Sequence, residues 1–520
     1  MLNKRSIIKS AGIIGLATLL SRTLGFIRDI LIAKFFGTGQ AISAFVVAFR
    51  IPNTLRDLIG EGASNAAFVP VFSEYVSGDK KDQLWKLVRL LFVILSIGLI
   101  LITLLGIISS SWIVRFIAPG FSKDPAQLSL TIRLTQIMFP YLLFIGLTAF
   151  MIGVLYTFKS FVTPAFGPCI LNIVLIGSIF WSLRLFRQPV LGLAISVLIA
   201  GLLQLLFQLP ALYRAGFSLR GYRLKLSDLG HPDIKRIGKL LGPRTIASAV
   251  YQFNIFVDTI FASLFWLVGP GAVSAIFYAN RLIQFPLAIF GTSLSNVILP
   301  DMSQLAAKND LDGLRNTLSF SIRMIFLILI PITVGMSILS EPIIRVLFQR
   351  GAFDNYSTQL TSSALFFYSL GLLAFGVDRI LINGFYSLKD TVTPLKTATL
   401  ALLLNIILNS ILIKPLKIGG LALASSISAS LNFIILYLML NKKIGRLNSA
   451  EIFGSFIKIS FSSLVMGLII ILAWRNLFLG RPEILRLLAS TLIGGLVFVA
   501  SCAIIKVKEL RRLKWILKRD

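Results

Sequence analysis

Arginine and aspartate residues recur at a regular spacing inside apolar segments of this chain. In "SRTLGFIRDILIAKFFG", residues 21–37, Arg22 and Arg28 lie six positions apart, about 9 Å along a helix axis, and Asp29 follows directly. The segment "FRIPNTLRD" contains a second arginine pair at the same spacing, which ends on Arg56. A charged residue at the centre of a membrane helix costs roughly 2.5–3.5 kcal/mol on insertion scales, so Arg28 and Arg56, which fall well inside their spans, are expected to be functional.

The chemistry that such arginines offer is the binding of anions. Arg281, in "FYANRLIQFP", adds a cation from the second half of the chain and has no close acidic neighbour in sequence. Guanidinium groups bind phosphate and carboxylate through two parallel hydrogen bonds, and several of them facing one cavity would form an electropositive chamber. We therefore expect an anionic substrate. The intramembrane cations expected instead to reach the interface or pair with neighbours are Arg50, Arg244, Arg323, Arg379 and Lys458.

The elements that must hold these residues are membrane helices. The chain has 520 residues, is 56% hydrophobic with a mean hydropathy of +0.87, and contains only 14% charged residues. Its apolar runs are long enough to cross a hydrocarbon core of about 30 Å, which predicts an all-α polytopic membrane protein with about 14 transmembrane helices. The predicted spans are 10–36, 40–76, 84–117, 128–158, 162–186, 189–214, 233–267, 271–303, 311–340, 357–388, 391–413, 417–443, 452–475 and 483–506.

The distribution of basic residues predicts the topology. Of the 51 Lys and Arg, about 29 fall in the two termini and the even-numbered loops, against about 13 in the odd-numbered loops, so both termini are predicted to be cytoplasmic. The basic start "MLNKRSIIKSAGIIGLATLL" lacks a small-residue cleavage site, and we expect an uncleaved first helix. The net charge of +30 is thus topological and suits membrane lipids, and no nucleic-acid partner is expected.

The chain repeats itself at an offset of 230 residues. "LYTFKSFVTP" ends at Pro164 and "FYSLKDTVTP" at Pro394, while "PVFS" begins at Pro70 and "PDMS" at Pro300. The repeat pairs spans 1–6 with spans 7–12 in the same orientation, which is typical of transporters that expose a site between two lobes. The predicted segments are an N-lobe at 1–214, a basic cytoplasmic linker at 215–239, a C-lobe at 240–443, and two further helices with a basic tail at 444–520.

Few residues could hold a cation or catalyse a reaction. Asp258 lies inside span 7, and Asn405 and Asn409 lie one turn apart in span 11. Such oxygen-rich groups suit a hard cation such as sodium, although two asparagines at this spacing also join neighbouring helices. The single histidine, His231, lies in a basic loop without partner ligands, so a membrane enzyme that acts on polyprenyl phosphates is disfavoured.

Four segments carry a resemblance to a known family. "SRTLGFIRD", "AFRIPNTLRDLIGEGASNAAFVPVFSEY", "YANRLIQFP" and "FYSLKDTVTP" resemble the MurJ/MviN family of lipid II flippases in the MOP exporter superfamily, over essentially the whole chain. The resemblance implies two pseudo-symmetric six-helix lobes in a V shape, plus two C-terminal helices that hold the polyprenyl tail. It also implies a transporter, not an enzyme, that moves undecaprenyl-diphosphate-linked MurNAc(pentapeptide)-GlcNAc from the inner to the outer leaflet of the bacterial inner membrane by alternating access.

The resemblance also assigns residues and partners. The substrate site would comprise the cavity arginines Arg28, Arg56 and Arg281, which would bind the diphosphate, with Arg22 and Asp29 beside them. A sodium site, with Na+ as the coupling ion, would comprise Asp258, Asn405, Asn409, Leu421 and Ser425. Cell-wall synthesis machinery is a further expected partner.

The sequence departs from the family pattern at several acidic positions. Some relatives have acids where Ser43, Asn280 and Gln284 stand, so these positions are not expected to carry protons here. At the sodium site an amide, Asn409, replaces a carboxylate. Two alternatives remain within the same superfamily: a flippase for another polyprenyl-diphosphate-linked oligosaccharide, and a MATE-like multidrug antiporter. The antiporter would favour acids and aromatic residues over arginines.

Overall fold

The structure is a computed structural model that describes residues 4–59, 63–218, 230–477 and 480–510. Of the described residues 88% are helical and none lies in a strand, which confirms the predicted all-α class. Contacts group the chain into two compact units, Met1–Ser263 and Leu264–Asp520. Each unit is described by itself below.

The first unit is built from ten α-helices and one short 3-10 turn within its described residues. They are α1 Lys4–Phe36, α2 Gln40–Ile59, α3 Ala63–Ser77, α4 Lys81–Ile108, α5 Ser110–Ile117, the turn Pro119–Lys123, α6 Pro125–Met138, α7 Tyr141–Thr157, α8 Val162–Leu185, α9 Pro189–Arg214 and α10 Pro232–Ser263. Helix α8 packs against both α1 and α9, while α10 packs against α2 and α3. Apolar side chains of α3, α4 and α7, such as Phe72, Trp85 and Phe150, form a buried core.

The second unit contains eleven α-helices and a π-helical turn within its described residues. They are α11 Phe265–Val268, α12 Ala272–Pro286, the π turn Leu287–Thr292, α13 Ser293–Ala307, α14 Leu311–Ile338, α15 Ser340–Phe348, α16 Asn355–Leu370, α17 Leu372–Ser387, α18 Val392–Leu416, α19 Ile418–Ile444, α20 Ser449–Asn476 and α21 Glu483–Ile504. Helix α14 packs against α16, α17 and α20, and α17 packs against α19.

The helix boundaries carry the same 230-residue repeat as the sequence motifs. Helices α4 and α14 begin and end 230 residues apart, and so do α3 and α13. The chain reverses with positive φ at Lys159 and at Lys389, again at the same offset. Two halves of different sequence therefore fold into the same succession of helices.

Ten helical segments are long and apolar enough to cross a membrane within the described residues, or eleven if the bent pair Asn355–Leu370 and Leu372–Ser387 is one span. Every one of the 14 predicted spans is largely helical, but the count of fourteen stays a prediction. The spans outside the ten or eleven are α1, α2 with α3, and α10. These are the helices that carry Arg28, Arg56 and Asp258. The membrane-spanning class is thus confirmed.

Glycines permit two close approaches that shape the second unit. A Cβ added at Gly420 would lie 2.2 Å from the backbone oxygen of Leu412, so the turn between α18 and α19 requires glycine. Gly467 on α20 faces Val334 and Ile338 of α14, where a Cβ would lie 2.8 Å from each side chain. The C-terminal helix pair, α20 with α21, therefore attaches to the second unit through a tight contact with α14.

The predicted segment boundaries differ from the contact units at one helix. Helix α10 packs against α2 and α3 and belongs to the first unit, whereas the sequence repeat assigns most of it to the C-lobe. Tyr75 donates to Asp233 at 2.5 Å, and Arg236 makes two hydrogen bonds to Glu74 at 2.6 Å each, which joins α3 to the start of α10. The predicted segments themselves stay a prediction, and residues 219–229 of the linker and 511–520 of the tail lie outside the described residues.

The connection between α17 and α18 is held by the carboxylate of Asp390. It accepts hydrogen bonds from Lys443 at 2.6 Å, from the Thr393 hydroxyl at 2.8 Å and from the Thr393 backbone N–H at 2.9 Å. Partial burial by itself would raise the pKa of Asp390, but the hydrogen bonds from Lys443 and Thr393 outweigh it and lower this pKa to about 2.

We expect Lys443→Gln to weaken the acid sensitivity that Asp390 confers. The pKa of Asp390 is about 2 in the folded state and 3.8 ordinarily. The ionised carboxylate therefore stabilises the folded protein fully above about pH 4, and this contribution is lost as the pH falls toward 2. Lys443 is 42% exposed, so solvent screening limits the contribution of its ion pair with Asp390 to the free energy of unfolding to about 1 kcal/mol. The loss of stability on acidification is measured as the fall in melting temperature in detergent between pH 5 and pH 2. Lys442→Gln, at the exposed neighbouring lysine, is the control. Equal curves of melting temperature against pH for the two variants would contradict the role of Lys443 in lowering the pKa of Asp390.

Candidate functional site

Arg28 is buried in the first unit, where it contacts one acid and one amide. Its Nε and Nη2 atoms donate to Oδ1 of Asp29 at 3.0 and 2.7 Å, and its Nη1 atom donates to Oδ1 of Asn172 at 3.0 Å. Arg28 is 7% exposed and Asp29 is fully buried. A guanidinium has five N–H donors, and these contacts use three of them. Two donors remain that the described contacts do not use, and these can bind a phosphate oxygen.

Packing of α1 against α8 positions this group. Asn172 of α8 donates from Nδ2 to the backbone oxygen of Ser21 at 2.9 Å, which fixes its Oδ1 toward Arg28. A Cβ added at Gly25 would lie 3.5 Å from the Asn172 amide, an ordinary van der Waals contact, so α1 and α8 pack directly against each other at this point. Asn172 escaped the sequence analysis, although a single amide in the apolar run "PCILNIVLIG" was a signal for it.

The other predicted arginines of the first unit differ in exposure. Arg22 is exposed and Arg56 is half-buried near the end of α2. Six residues turn a helix by about 240°, so Arg22 and Arg28 leave α1 in different directions. Arg50 donates to the hydroxyl of Thr259 and, at 3.4 Å, to the backbone oxygen of Ile255, in agreement with the predicted pairing role.

Helix α10 is joined to α2 at one further position. Thr54 donates to Oε1 of Gln252 at 3.3 Å, one turn beyond the Arg50 contact. Asp258 lies beside Thr259 on α10 and is half-buried. Asp258, the predicted sodium ligand of the first unit, therefore lies on α10, the helix that Arg50 contacts.

Arg281, in the second unit, lies on the exposed surface of α12. Its guanidinium lies over the ring of Phe277, 5.4 Å from the ring centroid, which is a cation–π contact. Helix α12 ends at Pro286, and the π turn follows directly. Asn280 and Gln284, which flank Arg281, are half-buried, and Ser43 in the first unit is buried.

The π turn lies within the continuous span that carries Arg281, and α17 contacts this part of the span. Arg379 donates to the hydroxyl of Thr292, and Asn383 donates to the backbone oxygen and the hydroxyl of Ser295 at 2.7 and 2.6 Å. A Cβ at Gly291 would lie 3.8 Å from the Cα of Gly376, so the π turn and α17 are in contact at this point. Single π-helical turns inside α-helices are frequent at functional sites.

The candidate sodium ligands of the second unit form one buried cluster. Asn409 donates to Oδ1 of Asn405 at 2.9 Å, and Asn405 donates to the Ser425 hydroxyl at 3.2 Å. Leu421 is buried one turn before Ser425 on α19. These groups supply neutral oxygens and no charge, and Asp258 belongs to the first unit. The cluster fits the neutral part of a sodium site, and the same bonds also join α18 to α19.

The pairing prediction for the remaining cations is met at Arg323. It is 4% exposed, and its Nη1 atom lies 3.0 Å from Oε1 of Glu509 and 3.1 Å from Oε2 of Glu451. Ser455 donates to the same oxygen of Glu509 at 3.0 Å. This network ties α14 to α20 and to the segment after α21. Lys458 is exposed, and the side chain of Arg244 lies outside the description.

The fold and the intramembrane arginines define the class of this protein, an all-helical multi-span membrane transporter. A model of the lipid II flippase MurJ family matches residues 32–491. The lipid II flippase MurJ of Burkholderia cenocepacia is 37% identical over 427 residues, 82% of each chain. The probable lipid II flippase MurJ of Buchnera aphidicola subsp. Acyrthosiphon pisum is 35% identical over 509 residues, which cover 96% of this chain and 97% of that one.

Solved structures agree with these relatives. A lipid II flippase MurJ in an inward closed conformation matches with a TM-score of 0.79 and 29% identity, over 94% of this chain and 98% of that one. An inward-facing MATE family multidrug transporter of the MOP superfamily matches with a TM-score of 0.68 at 14% identity, over 82% and 96%, which shows a shared fold. The chain belongs to the lipid II flippase MurJ family, and the predicted family and transporter class are confirmed.

Proposed function

We propose that this protein is a lipid II flippase, which moves the undecaprenyl-diphosphate-linked peptidoglycan precursor from the inner to the outer leaflet of the bacterial inner membrane. The family match over residues 32–491 is the observation that carries this proposal. No covalent bond changes in the process. The barrier that the protein must lower is the transfer of a charged diphosphate and a polar glycopeptide across about 30 Å of hydrocarbon.

The arginines are proposed to bind the diphosphate. Arg28 has two N–H donors beyond those used by Asp29 and Asn172, and its burial lets it meet a phosphate without competition from bulk water. Arg56 and Arg281 are more accessible and, together with Arg22, are proposed to take the remaining charge. A MATE-like exchange of organic cations is the second candidate, and the arginines disfavour it because they would repel its substrate.

Exposure of lipid II on the outer leaflet tests this function in cells that depend on this protein as their only flippase. Arg56→Ala and Arg281→Ala are each expected to lower exposure at least about tenfold, because a hydrogen bond to a charged group contributes about 1.5–3 kcal/mol. Arg475→Ala, at an exposed arginine in the last turn of α20, is the control at matched protein levels. If wild-type cells expose another polyprenyl-diphosphate glycan and no lipid II, the proposed substrate is wrong.

The orientation and partners follow from the same proposal. Both termini are proposed to be cytoplasmic, so that the basic tail meets the anionic inner leaflet. Contact with the enzymes that make and use lipid II would shorten its path through the membrane. Labelling of single cysteines at the two ends of the chain from each side of intact cells checks the orientation.

We further propose that Na+ is the coupling ion, bound by Asp258 with the oxygens of Asn405, Asn409, Leu421 and Ser425. Sodium would then neutralise the charge of Asp258. Sodium chloride is expected to raise the melting temperature of the wild type more than potassium chloride does, because an ion that binds only the folded state stabilises it. Asp258→Asn should remove this difference. Equal stabilisation of the wild type by the two salts would exclude the site.

A further inference from the structure

An acid and an amide meet inside the second unit, away from every predicted site. Asp378 lies in the middle of α17, and Asn432 lies on α19, which packs against it. Nδ2 of Asn432 donates to Oδ2 of Asp378 at 3.1 Å. The second oxygen of each group, Oδ1 of Asp378 and Oδ1 of Asn432, is buried and has no hydrogen-bond partner in the structure. The pair therefore leaves two acceptors unsatisfied.

Two buried acceptors without a donor are unfavourable, and an ionised carboxylate there is more so. An unsatisfied buried polar group costs about 1–3 kcal/mol, and an unpaired charge costs considerably more. Within the described residues Asp378 makes no ion pair. Arg379, next to it, is turned toward Thr292, and Arg323 on α14 is engaged with Glu509.

The other charged groups on the helices packed against α17 do not neutralise Asp378 either. They are half-buried or exposed and lie toward the helix ends, and none of them forms an ion pair with Asp378. These groups are Asp301 on α13, Asp312 and Arg315 on α14, Lys396 and Lys414 on α18, and Lys442 and Lys443 on α19. Helix α16, which also packs against α17, contains no charged residue.

One proton would satisfy both oxygens at once. A carboxylic acid and a primary amide pair through two hydrogen bonds: the amide N–H donates to one acid oxygen, and the acid O–H donates to the amide oxygen. The first of these bonds is already present between Asn432 and Asp378. The second requires only a proton on Oδ1 of Asp378, taken from water, and no other bond changes.

We propose that Asp378 and Asn432 form a proton-binding site, in which the protonated acid fastens α17 to α19. Release of the proton would then require water to reach the pair, which happens only when the two helices separate. Because α17 also contacts Thr292 at the end of the π turn through Arg379, and Ser295 at the start of α13 through Asn383, such a separation would release this part of the span that carries Arg281. One step of the transport cycle would thus take up or release a proton. The site depends on neither the identity of the lipid substrate nor the sodium site.

Infrared difference spectroscopy on the purified full-length protein tests the site directly. At neutral pH the wild type is expected to show the C=O stretch of a protonated carboxylic acid, and Asp378→Asn should abolish that band. The asparagine variant is nearly isosteric with the protonated acid and should keep the fold. Asp301→Asn, at an exposed acid of α13, is the control and should leave the band intact.

Three further results would decide the matter. Asn432→Leu should shift the band or remove it, because the acid loses its acceptor. A wild-type spectrum without any band that Asp378→Asn removes would overturn the proposal, since Asp378 would then be ionised. Loss of the band on addition of sodium, but not of potassium, would also overturn it, since the pair would then bind a metal ion. None of these outcomes depends on lipid II transport, so failure of the flippase assignment remains distinguishable.

Discussion

Arg28→Ala is expected to reduce the exposure of lipid II to background and to lower the stability of the protein as well. The substitution removes the donors proposed for the diphosphate and also leaves Asp29, which is fully buried, without the guanidinium that contacts it through two donors. Removing one partner of a buried ion pair typically costs about 3–5 kcal/mol. Lipid II exposure in cells and the melting temperature of the purified protein measure the two effects separately.

A double variant separates the two roles of Arg28. In Arg28→Ala with Asp29→Asn both charges are absent, so most of the lost stability should return. If Arg28 binds the diphosphate, lipid II exposure stays at background in the double variant. If exposure recovers along with stability, Arg28 serves only to neutralise Asp29, and the diphosphate binds elsewhere. Arg28→Lys keeps the charge but loses the planar guanidinium that binds a phosphate through two hydrogen bonds, so this variant is expected to transport lipid II poorly.

Arg323→Ala is expected to loosen the C-terminal helix pair from the second unit. It leaves Glu509, 1% exposed, without its cation, and one oxygen of Glu509 already has no hydrogen-bond partner. The expected loss of stability is about 3–5 kcal/mol. Hydrogen exchange in α20 and in the segment after α21 should rise, while exchange in α16 stays low. Glu509→Gln in the same chain should restore much of the stability, because it removes the unpaired charge.

The matched control for Arg323 is Arg345, which pairs with Glu341 and Glu483. Both acids are exposed, and Arg345 itself is 38% exposed. Exposed ion pairs contribute about 0–1 kcal/mol, so Arg345→Ala should change the melting temperature little. Equal losses in Arg323→Ala and Arg345→Ala would show that burial of the network around Glu509 does not matter for stability.

The sequence predicted the class of the fold well because the signals are local. Long apolar runs require helices in a membrane, where each backbone polar group must be bonded within its own segment. The repeat at 230 residues, read from two short motifs, reappears in the boundaries of α3 with α13 and α4 with α14. The pairing of Arg50 and Arg323 also agrees with the prediction, although their partners, Thr259 and Glu509, come from distant parts of the chain.

Interior pairs were harder to predict, because they join residues far apart in sequence. Asn172 lies 144 residues after Arg28, and Asn432 lies 54 residues after Asp378. Asp378 itself was a missed signal, since an acid inside an apolar span is expensive and therefore functional by default.

By itself the sequence determined that the chain crosses the membrane repeatedly as helices, that its two halves repeat, and that it belongs to a family of lipid transporters. Only the tertiary structure decided which way each charged side chain points. Arg22 and Arg28 are both arginines on the same helix, yet Arg22 is exposed and Arg28 is buried against Asn172. The physical reason is that hydropathy and spacing act along one helix, whereas the burial of a charge is set by the helices packed around it.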